Sequence, residues 1–360
     1  MNKVLSISVA AYNAADCLDK CVKSLVNNQV ADKLEIIIVN DGSKDATAEL
    51  GRKCQAEYPN SVVFIDKENG GHGSTINASL KVATGKYYKI VDSDDWVEKA
   101  GIEKLVAALE ESDADLVLNS FYNVQEESGE KTYRSVFESQ DPQQRAAKTL
   151  VDIKDAYNPV MHGSTFKTQV LRDCHLKIDE HCFYVDNEMM LYPLPYIKTV
   201  QVLDFPVYDY LIGSEGQSIN MKNMIKNRAQ HVRVIEQVAR YYTDQATDPV
   251  VSEIYLRLLQ KIINKQYQIF FTMDSKQAKG ELLDFEEYLQ KHAPAIYRQV
   301  PEMIGRKGQV ISFNRRTGYK FYGLTLNILK PLMKVRGFGN EQYRNHYRRR
   351  CRQADGAEHS

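Results

Sequence analysis

Apolar and polar positions alternate regularly over the N-terminal part of the chain. Short runs of β-branched and aliphatic residues at 4–11 (VLSISVAA), 34–39 (LEIIIV) and 62–65 predict strands. Between the first two runs, residues 16–27 place their apolar side chains at helical spacing. The run 34–39 is apolar almost throughout, which is typical of a parallel strand covered on both faces. The alternation therefore predicts right-handed βαβ units and a doubly wound, mostly parallel α/β sheet.

Residues 66–96 continue this pattern and end in an acidic cluster. A glycine-rich turn leads into a helix, and the next strand, 87–91 (YYKIV), stops at residues 92–95 (DSDD). In open α/β sheets, ligands bind at the carboxyl ends of the strands. Closely spaced carboxylates repel one another unless a cation offsets their charge, and such oxygen ligands suit Mg²⁺ or Mn²⁺ together with substrate phosphates. The alternative is a turn in which Asp95 caps the following helix.

The common phosphate-binding fingerprints are missing from the sequence. The first strand–helix turn, 10–14 (AAYNA), contains no glycine, which excludes a Rossmann dinucleotide turn. The chain has no GxxxxGK[ST] segment, so it has no Walker P-loop. Residues 70–73 (GGHG) are rich in glycine but lack the dinucleotide spacing, and His72 among them is interpreted as a solvated loop residue. What remains is a nucleotide-type sheet with acidic strand ends.

Composition sets the broad class of the protein. The chain has 360 residues, of which 43% are hydrophobic and 26% charged, as in soluble globular proteins of one large or two ordinary domains. Lys+Arg and Asp+Glu both number 47, so whole-chain charge predicts no partner. Its six cysteines show no disulfide framework, which favours a reducing cytoplasm. We expect neither a signal peptide nor a membrane span, and hence a protein of the cytoplasm or of a membrane surface.

Four motifs follow one another in a fixed order. They are residues 8–13 (SVAAYN), 38–45 (IVNDGSKD), 69–71 (NGG) and 92–95 (DSDD). In this order they resemble the family 2 glycosyltransferases of GT-A fold, of the bacterial cell-surface polysaccharide type, although Ala10 replaces a proline that is usual in the family. The resemblance implies an inverting transfer of a sugar from a nucleotide-diphosphate donor, UDP-linked, to a hydroxyl group. The acceptor would be a glycan, a lipid-linked sugar or a polymer.

The resemblance also implies roles for residues that bind the nucleoside. Ala10 and Tyr12 would flank the base, and Asp41 would accept a hydrogen bond from a uracil-type N–H. Asp92 would face the ribose hydroxyls, with Ser93 beside it in the nucleotide-sugar site. For Asp41, an Asp-Gly turn with a local hydrogen bond is the alternative.

Further implied roles concern the diphosphate and the sugar. Asp94 would ligate the Mn²⁺ or Mg²⁺ ion that bridges the diphosphate, and thereby help to stabilise the leaving group. Gly70 and Gly71 would let sugar or phosphate approach backbone N–H groups at a helix start. Asn69 and Asn77 are expected in the sugar region, and Asn77 is equally compatible with a satisfied helix position.

An inverting transferase also needs a general base for the acceptor hydroxyl. Residues 183–190 (FYVDNEMM) resemble the acidic pair that the family carries at a later helix start, with Val185 where Glu is common. Asp186 is the expected base. Glu188 is the alternative, since an acid at a helix N-terminus is also a routine dipole partner. Apolar neighbours should raise the pKa of Asp186 by desolvation.

The resemblance weakens after about residue 119 and is absent beyond about 220, which sets the expected domain boundaries. Residues 1–219 are predicted to form the GT-A catalytic domain, with a nucleotide-binding half (about 1–119) and an acceptor half (about 120–219). Apolar residues at helical spacing predict a helical region over 220–305. A basic amphipathic segment and tail over 306–360 would complete the chain.

The C-terminal segment suggests a contact with membranes. Residues 319–333 (YKFYGLTLNILKPLM) interleave aromatic and aliphatic side chains, and basic residues flank them. This pattern suits docking at the anionic inner face of the cell membrane. A helix packed on the protein, followed by a solvated basic tail, is the alternative. The sequence leaves the donor sugar, the acceptor and a homo-oligomeric state open.

Two other functions would also account for parts of this pattern. A nucleotidyltransferase also carries acidic clusters on an α/β sheet, but it usually has a basic, glycine-rich loop after the first strand, and residues 11–14 provide none. A nucleic-acid-binding protein could use the basic tail. Zero net charge and an acidic sheet edge disfavour that function for the whole chain, so no nucleic-acid partner is expected.

Overall fold

Apolar runs form the centre of one mixed sheet in the computed structural model of the protein. Within the described part of the chain the sheet has ten strands: β1 (Leu5–Ala11), β2 (Leu34–Asp41), β3 (Val62–Lys67), β4 (Tyr87–Asp92), β5 (Trp96–Val97), β6 (Leu116–Gln125), β7 (Lys131–Arg134), β8 (Lys148–Thr149), β9 (Ser164–Lys167) and β10 (Thr199–Ile212). Every residue of β2 is buried. Each buried aliphatic side chain of this kind contributes about 1.5–3 kcal/mol, so burial explains why β2 lies inside the sheet.

Strand order explains where the motifs meet. The path runs β3-β2-β1-β4-β9-β6-β10-β5, with β7 paired to β6 and β8 to β10. The strands β3, β2, β1 and β4 are parallel, and Ala10 lies in register with both Val39 and Asp92. The strand β9 is antiparallel to β4 and β6, whereas β10 runs parallel to β6. The predicted doubly wound, mostly parallel sheet is confirmed.

Helices connect the strands and continue beyond the sheet. The first seven are α1 (Leu18–Val26), α2 (Thr47–Glu57), α3 (His72–Val82), α4 (Lys99–Glu111), α5 (Leu150–Ile153), α6 (Thr168–Asp173) and α7 (Asp186–Leu191). The remaining ones are α8 (Met221–Lys226), α9 (Arg228–Gln245), α10 (Pro249–Thr272), α11 (Ser275–His292), α12 (Pro294–Met303) and α13 (Arg306–Arg316). The helical C-terminal region is thus confirmed.

The chain divides into two compact units. The structure describes residues 3–26, 29–136, 148–154, 157–213, 220–245, 248–273, 275–303 and 306–327. The first unit extends to Gln266 and includes Lys291–Ala293, while the second comprises Tyr267–Gln290 and everything from Pro294 onward. The division therefore falls within α10, and the domain boundaries expected at 219 and 305 stay predictions.

The second unit has a buried ion pair of its own. The Arg315 guanidinium donates from Nε and Nη2 to the Glu286 carboxylate at 2.6 and 3.0 Å, and it lies 3.7 Å from the centre of the Tyr297 ring. The hydroxyl of the fully buried Tyr267 also donates to Glu286. Such a bidentate pair fixes the relative positions of α11 and α13.

The predicted membrane-binding segment is only partly covered by the described residues. The description ends at residue 327, so residues 328–333 and the basic residues that follow them are not covered. Within the described ranges, no helix combines the length and the apolar character needed to span a bilayer. Membrane contact through this segment stays a prediction.

Candidate active site

The loops that follow β1 and β2 are tied together at one edge of the sheet. The Asn13 backbone N–H donates to Ser43 Oγ at 2.9 Å, and the Lys44 N–H donates to Asn13 Oδ1 at 2.8 Å. Asn13 adopts a φ of +48°, a conformation that asparagine tolerates better than most residues. Tyr12, just before it, is 53% exposed at the end of β1. Its ring is therefore open to a ligand, although its predicted contact with a base, like that of Ala10, stays a prediction.

Asp41 holds the glycine turn against the end of β2. Its carboxylate accepts hydrogen bonds from the N–H groups of Gly70 and Gly71, both at 2.8 Å, and from Lys67 Nζ at 2.8 Å. Asn69 Nδ2 donates to the Asp41 carbonyl oxygen at 2.9 Å. Both carboxylate oxygens thus have donors, and neither glycine N–H is free to bind a phosphate in this structure. The base contact of Asp41 stays a prediction, but its anchoring role is visible.

A segment after α6 packs against the same turn. The His181 N–H donates to the Gly70 carbonyl at 2.5 Å, and a Cβ on Gly73 would lie only 2.1 Å from the Asp179 carbonyl oxygen. Asn77 Nδ2 donates to the Ile178 carbonyl at 2.8 Å, and its Oδ1 accepts from the Ile178 N–H at 2.9 Å. Asn77 is therefore a satisfied helix residue rather than a sugar ligand. The missing side chain at Gly73 is what allows the close approach.

Asp95 is a buried structural acid. It is 2% exposed and accepts hydrogen bonds from Tyr208 Oη at 2.6 Å and from the Leu211 N–H at 2.7 Å. The interpretation as a helix cap is wrong, because α4 begins only at Lys99 and Glu98 occupies its N-cap position. Burial, together with the nearby carboxylates of Asp92 and Asp94, raises the pKa of Asp95 to about 9. Through its hydrogen bonds to Tyr208 and Leu211, Asp95 ties the segment after β4 to β10.

Asp92 and Asp94 differ in their surroundings. Asp92 Oδ1 lies 3.2 Å from His72 Nε2. Burial opposes ionisation of Asp92, but the contact with His72 outweighs it and holds the pKa of Asp92 below its usual value. Asp94 is exposed and has no hydrogen bond or ion pair with the described residues, while desolvation and the neighbouring Asp92 raise its pKa. Ser93, between them, is buried, and its predicted contact with the donor stays a prediction.

His72 is part of the site rather than a solvated loop residue. It begins α3, and only 29% of its side chain is exposed. Burial lowers the pKa of His72, but the contact with Asp92 and the charges of Asp186 and Asp41 raise it by more, so the net shift is upward. The raised pKa favours the protonated imidazole beside the predicted ribose-facing acid, Asp92.

The two acids at the start of α7 have opposite environments. Asp186, the first residue of the helix, is exposed, whereas Glu188 is completely buried and accepts the Asp179 N–H at 2.8 Å. Burial raises the pKa of Glu188 to about 7. Desolvation by the cleft walls raises the pKa of Asp186, partly offset by His72, so the predicted direction of the shift is confirmed. Of the two candidates, only Asp186 reaches the cleft.

Tyr210 shows that the exposed acids share one cleft. Burial raises the pKa of its hydroxyl, and the charges of Asp95, Asp92, Asp94 and Asp186 raise it further. These four carboxyl groups, from two distant parts of the sequence, therefore all lie close enough to Tyr210 to act on its hydroxyl electrostatically. The predicted metal ligand and the predicted base are thus brought to the same place.

A layer of buried side chains beneath the cleft was missed by the sequence reasoning. The His162 ring stacks on Tyr210, with centroids 4.5 Å apart, and burial lowers the pKa of His162 to about 3. Lys89 is 1% exposed and donates from Nζ to the His162 carbonyl at 2.9 Å, while burial lowers its pKa to about 7. A lysine inside the apolar run 87–91 was the one sequence signal that could have revealed this layer.

The donor set fits a metal that receives most of its ligands from a substrate. Within the described residues, no group of three His, Cys, Asp or Glu side chains forms a metal site. Asp94 nevertheless presents an exposed carboxylate without a protein partner. Mg²⁺ is commonly held by one or two carboxylates together with substrate phosphates and water. Asp94 can therefore supply a single protein ligand of this kind.

Comparison with known proteins gives relatives over part of the chain. The family model described as Glycosyl transferase family 2 matches residues 6–174. Glycosyltransferase GlyG of Streptococcus pneumoniae is 38% identical over 132 residues, which are 36% of this chain and 42% of GlyG. The poly(ribitol-phosphate) beta-glucosyltransferase of Bacillus spizizenii is 26% identical over 221 residues, 60% of this chain and 33% of the relative. The chain thus spans less than half the length of these curated relatives.

A solved structure extends the likeness in fold. Residues 1–349 of S. aureus TarS, crystallised with UDP, superpose with a TM-score of 0.66 at 18% sequence identity, and the match covers 93% of each chain. At this identity the likeness concerns the fold, and it agrees with the GT-A sheet and the helical C-terminal region described above. Residues 6–174, which carry the glycine turn and the acidic strand end, are the part of the chain that matches glycosyl transferase family 2.

Proposed function

We propose that this chain is an inverting glycosyltransferase that moves a sugar from a UDP-linked donor to a hydroxyl of a cell-surface polymer, glycan or lipid-linked acceptor. The observation that carries the proposal is the pairing of two exposed acids in one cleft. Asp94 and Asp186 are both exposed near Tyr210, whereas their neighbours Asp95 and Glu188 are buried and hydrogen-bonded to backbone N–H groups. A transferase needs one acid for the leaving group and one for the acceptor.

Asp186 would accept the proton of the acceptor hydroxyl. As that proton leaves, the acceptor oxygen forms a bond to the anomeric carbon, and the bond between that carbon and the diphosphate breaks with its electron pair moving to the diphosphate. Attack from the face opposite the leaving group inverts the configuration. The raised pKa of Asp186 brings it closer to the range in which a general base works best.

The opposite side of the cleft would hold the donor. A divalent metal, when bound at Asp94, supplies positive charge opposite the diphosphate. His72, which contacts Asp92, would add positive potential in the same region in its protonated form, which its raised pKa favours. The exposed Tyr12 ring is available to stack on the base. TarS was crystallised with UDP, which makes uridine the first base to test.

Names of relatives suggest the acceptor class. The Bacillus spizizenii relative is named for glucosylation of poly(ribitol-phosphate), so we propose a cell-surface polymer of teichoic-acid type as the acceptor. We place the reaction in the cytoplasm at the inner membrane face. The described cysteines are free thiols, which supports a reducing compartment. Replacing the arginines at 348–350 should weaken sedimentation with anionic vesicles if residues 306–360 dock there.

The test is a screen of nucleotide sugars with Mn²⁺ or Mg²⁺. We expect one UDP-sugar to be hydrolysed slowly without acceptor, and both Asp94→Ala and Asp186→Asn to lose transfer. Asp113→Ala changes an acid whose side chain is 86% exposed and which pairs with Lys86, so it should retain activity. Unchanged activity in Asp94→Ala, or no binding of any nucleotide sugar by the wild type, would overturn the proposal.

A further inference from the structure

A second groove lies on the other side of the segment that packs against the glycine turn. Its volume is about 470 Å³, and it lies between α3 and the loop that follows α6. Leu80, Leu171 and Leu176 give it an apolar floor. Asn77 also lines it, through the same side chain that holds Ile178 in place. None of the roles assigned to the active site uses this groove.

Basic side chains form the rim of the groove. Lys81, Arg172, His175 and Lys177 are all exposed there, with Glu180 as the acid among the residues that line it. Arg172 is held in place because its Nη2 donates to the Ala83 carbonyl at 2.7 Å. The side chains of Lys81, His175 and Lys177 make no hydrogen bond or ion pair within the described ranges. Their donors are therefore available to a ligand.

The rim carries an excess of positive side chains, unlike the chain as a whole. The whole chain carries as many acidic as basic residues, 47 of each. A cluster of three cationic side chains and a histidine around one carboxylate is therefore a local excess. Such an excess around a concave surface concentrates anions. The apolar floor further suits a ligand with carbon segments between its charges.

The backbone around the groove is held in an unusual conformation. Of the five described non-glycine residues with positive φ, three lie in this segment: His175 at +48°, His181 at +52° and Tyr184 at +68°. Each such residue costs free energy and persists only where the surroundings fix it. Here Asn77 and the glycine turn supply those contacts. The groove is therefore built in advance rather than formed by a loose loop.

The groove is linked to the active site by α3. This helix begins at His72, beside Asp92, and reaches Lys81 nine residues later, a distance of about 13.5 Å along its axis. On the other side, the chain from Ile178 leads directly to Asp186 at the start of α7. A single sugar is too short to occupy both places, but an extended chain is long enough.

We propose that this groove binds the phosphate groups of an anionic acceptor chain built from phosphodiester-linked polyol units, while the reacting hydroxyl lies at Asp186. The inference rests on the proposed transferase function and specifies its acceptor. A polymer fits better than a membrane surface, because the cationic side chains rim a recess rather than a protruding face, and α3 links that recess to the cleft. Repeated phosphates would meet Lys81, Arg172 and Lys177, and the carbon segments between them would meet the leucines.

The experiment measures binding of labelled phosphodiester-linked polyol oligomers by fluorescence anisotropy, for a single unit and for a longer oligomer. The wild type should bind the longer oligomer more tightly, and added salt should weaken that binding. In Lys81→Glu/Lys177→Glu, affinity for the longer oligomer should fall about tenfold or more, because two attractive contacts become repulsive. Lys81→Arg/Lys177→Arg should bind like the wild type.

A matched pair elsewhere controls for net charge. Lys53→Glu/Lys99→Glu reverses two exposed lysines on α2 and α4, and it should bind the oligomer within about twofold of the wild type. Thermal unfolding of each variant confirms that it folds. A neutral glycan of equal length and vesicles containing phosphatidylglycerol complete the set of probes.

Several outcomes would overturn the inference. The first is that the groove variant and the wild type bind the oligomer equally well. The second is that the wild type binds the neutral glycan as tightly as the oligomer. The third is that the groove variant loses binding to vesicles but keeps binding to the oligomer. Donor hydrolysis by the wild type separates this inference from the proposed function. If the wild type hydrolyses a UDP-sugar but does not bind the oligomer, only the groove assignment fails. If it binds the oligomer through the groove but hydrolyses no nucleotide sugar, the transferase proposal fails instead.

Discussion

Two pairs of acids in the cleft are built in the same way. At the end of β4, Asp94 is exposed, while Asp95 next to it is buried and holds Tyr208 and the Leu211 backbone. At the start of α7, Asp186 is exposed, while Glu188 is buried and holds the Asp179 backbone. In each pair one acid is left for a ligand and the other positions the element that carries it. Neighbouring carboxylates of the same chemistry thus receive different roles from burial alone.

The largest effect should come from Asp186. Asp186→Asn removes the proposed base without changing size, so kcat for transfer should fall by about 10²- to 10⁴-fold. Donor binding should change little, because the proposed donor site lies around Asp94 and Tyr12 rather than at Asp186. Steady-state kinetics and nucleotide titration measure the two effects. Glu188→Gln is the matched control, and transfer lost equally in both variants would contradict the division of roles.

Asp94 should give the next largest effect. Asp94→Asn weakens the proposed metal ligand, so kcat should fall by about 10²- to 10³-fold, as for other lost contacts to a developing charge. Added Mn²⁺ should restore part of the activity, and the free energy of unfolding should stay within about 0.5 kcal/mol of the wild type because the side chain is exposed. Activity that does not respond to the Mn²⁺ concentration in either protein would argue against a metal at this position.

The buried Glu188 carboxyl should make the free energy of unfolding depend on pH. Burial raises its folded-state pKa to about 7 from an ordinary 4.5, so the folded state binds more protons than the unfolded state between those values. Its contribution to stability is therefore present below pH 4.5 and is lost as the pH rises to about 7. This contribution amounts to about 3 kcal/mol.

Glu188→Gln keeps an oxygen that can accept the Asp179 N–H but removes the titration. Urea denaturation at pH 5 and at pH 8 should show that the wild type loses more stability than Glu188→Gln over this interval. At each pH, the difference between the two free energies of unfolding is taken. Other titrating groups contribute equally to both proteins, so their contributions cancel in this difference. Parallel losses in the two proteins would show that the Glu188 carboxyl is already ionised in the folded state at pH 5.

The sequence predicted the parts of this site that depend on local pattern. Strand ends, the glycine turn and Asp94 could be located because parallel strands end at one edge of a sheet, whereas Asp186 was located only through the family resemblance of residues 183–190. The role of Asp95 was misjudged, the contact between Asp95 and Tyr208 was not predicted, and His162 and Lys89 were not found at all. Their contacts depend on how β10 pairs with β6 and β5, across register shifts between Leu203 and Tyr208.

Irregular pairing of this kind escapes a reading of local periodicity. A register shift changes the direction in which the following side chains point. The alternation of apolar and polar residues along a strand does not reveal where such a shift occurs. His72 and Asn77 were misjudged or left open for a related reason. Their partners, Asp92 and Ile178, are 20 and 101 residues away in the sequence, so no short-range motif connects them.

The smallest of the predicted effects comes from replacing Tyr208. This replacement tests the role of Asp95, the buried acid of the pair at the end of β4. The Tyr208 hydroxyl donates to Asp95 at 2.6 Å and accepts the Asp92 N–H at 3.1 Å. Tyr208→Phe leaves both groups without this partner, so the free energy of unfolding should fall by about 1–3 kcal/mol. Tyr122→Phe is the control, since its hydroxyl makes no hydrogen bond within the described ranges. Its effect on the free energy of unfolding should stay within about 0.5 kcal/mol.

Kinetics of the same variant sharpen the comparison of the two acid pairs. Because Tyr208 binds Asp95 rather than Asp94, its loss should move the strand end slightly and raise the KM for the donor more than it lowers kcat. If Asp95 were itself a ligand of the metal, Tyr208→Phe would free its carboxylate and alter the Mn²⁺ dependence of the reaction. An unchanged Mn²⁺ dependence with reduced stability would place Asp95 with Glu188, as an acid that positions its neighbour.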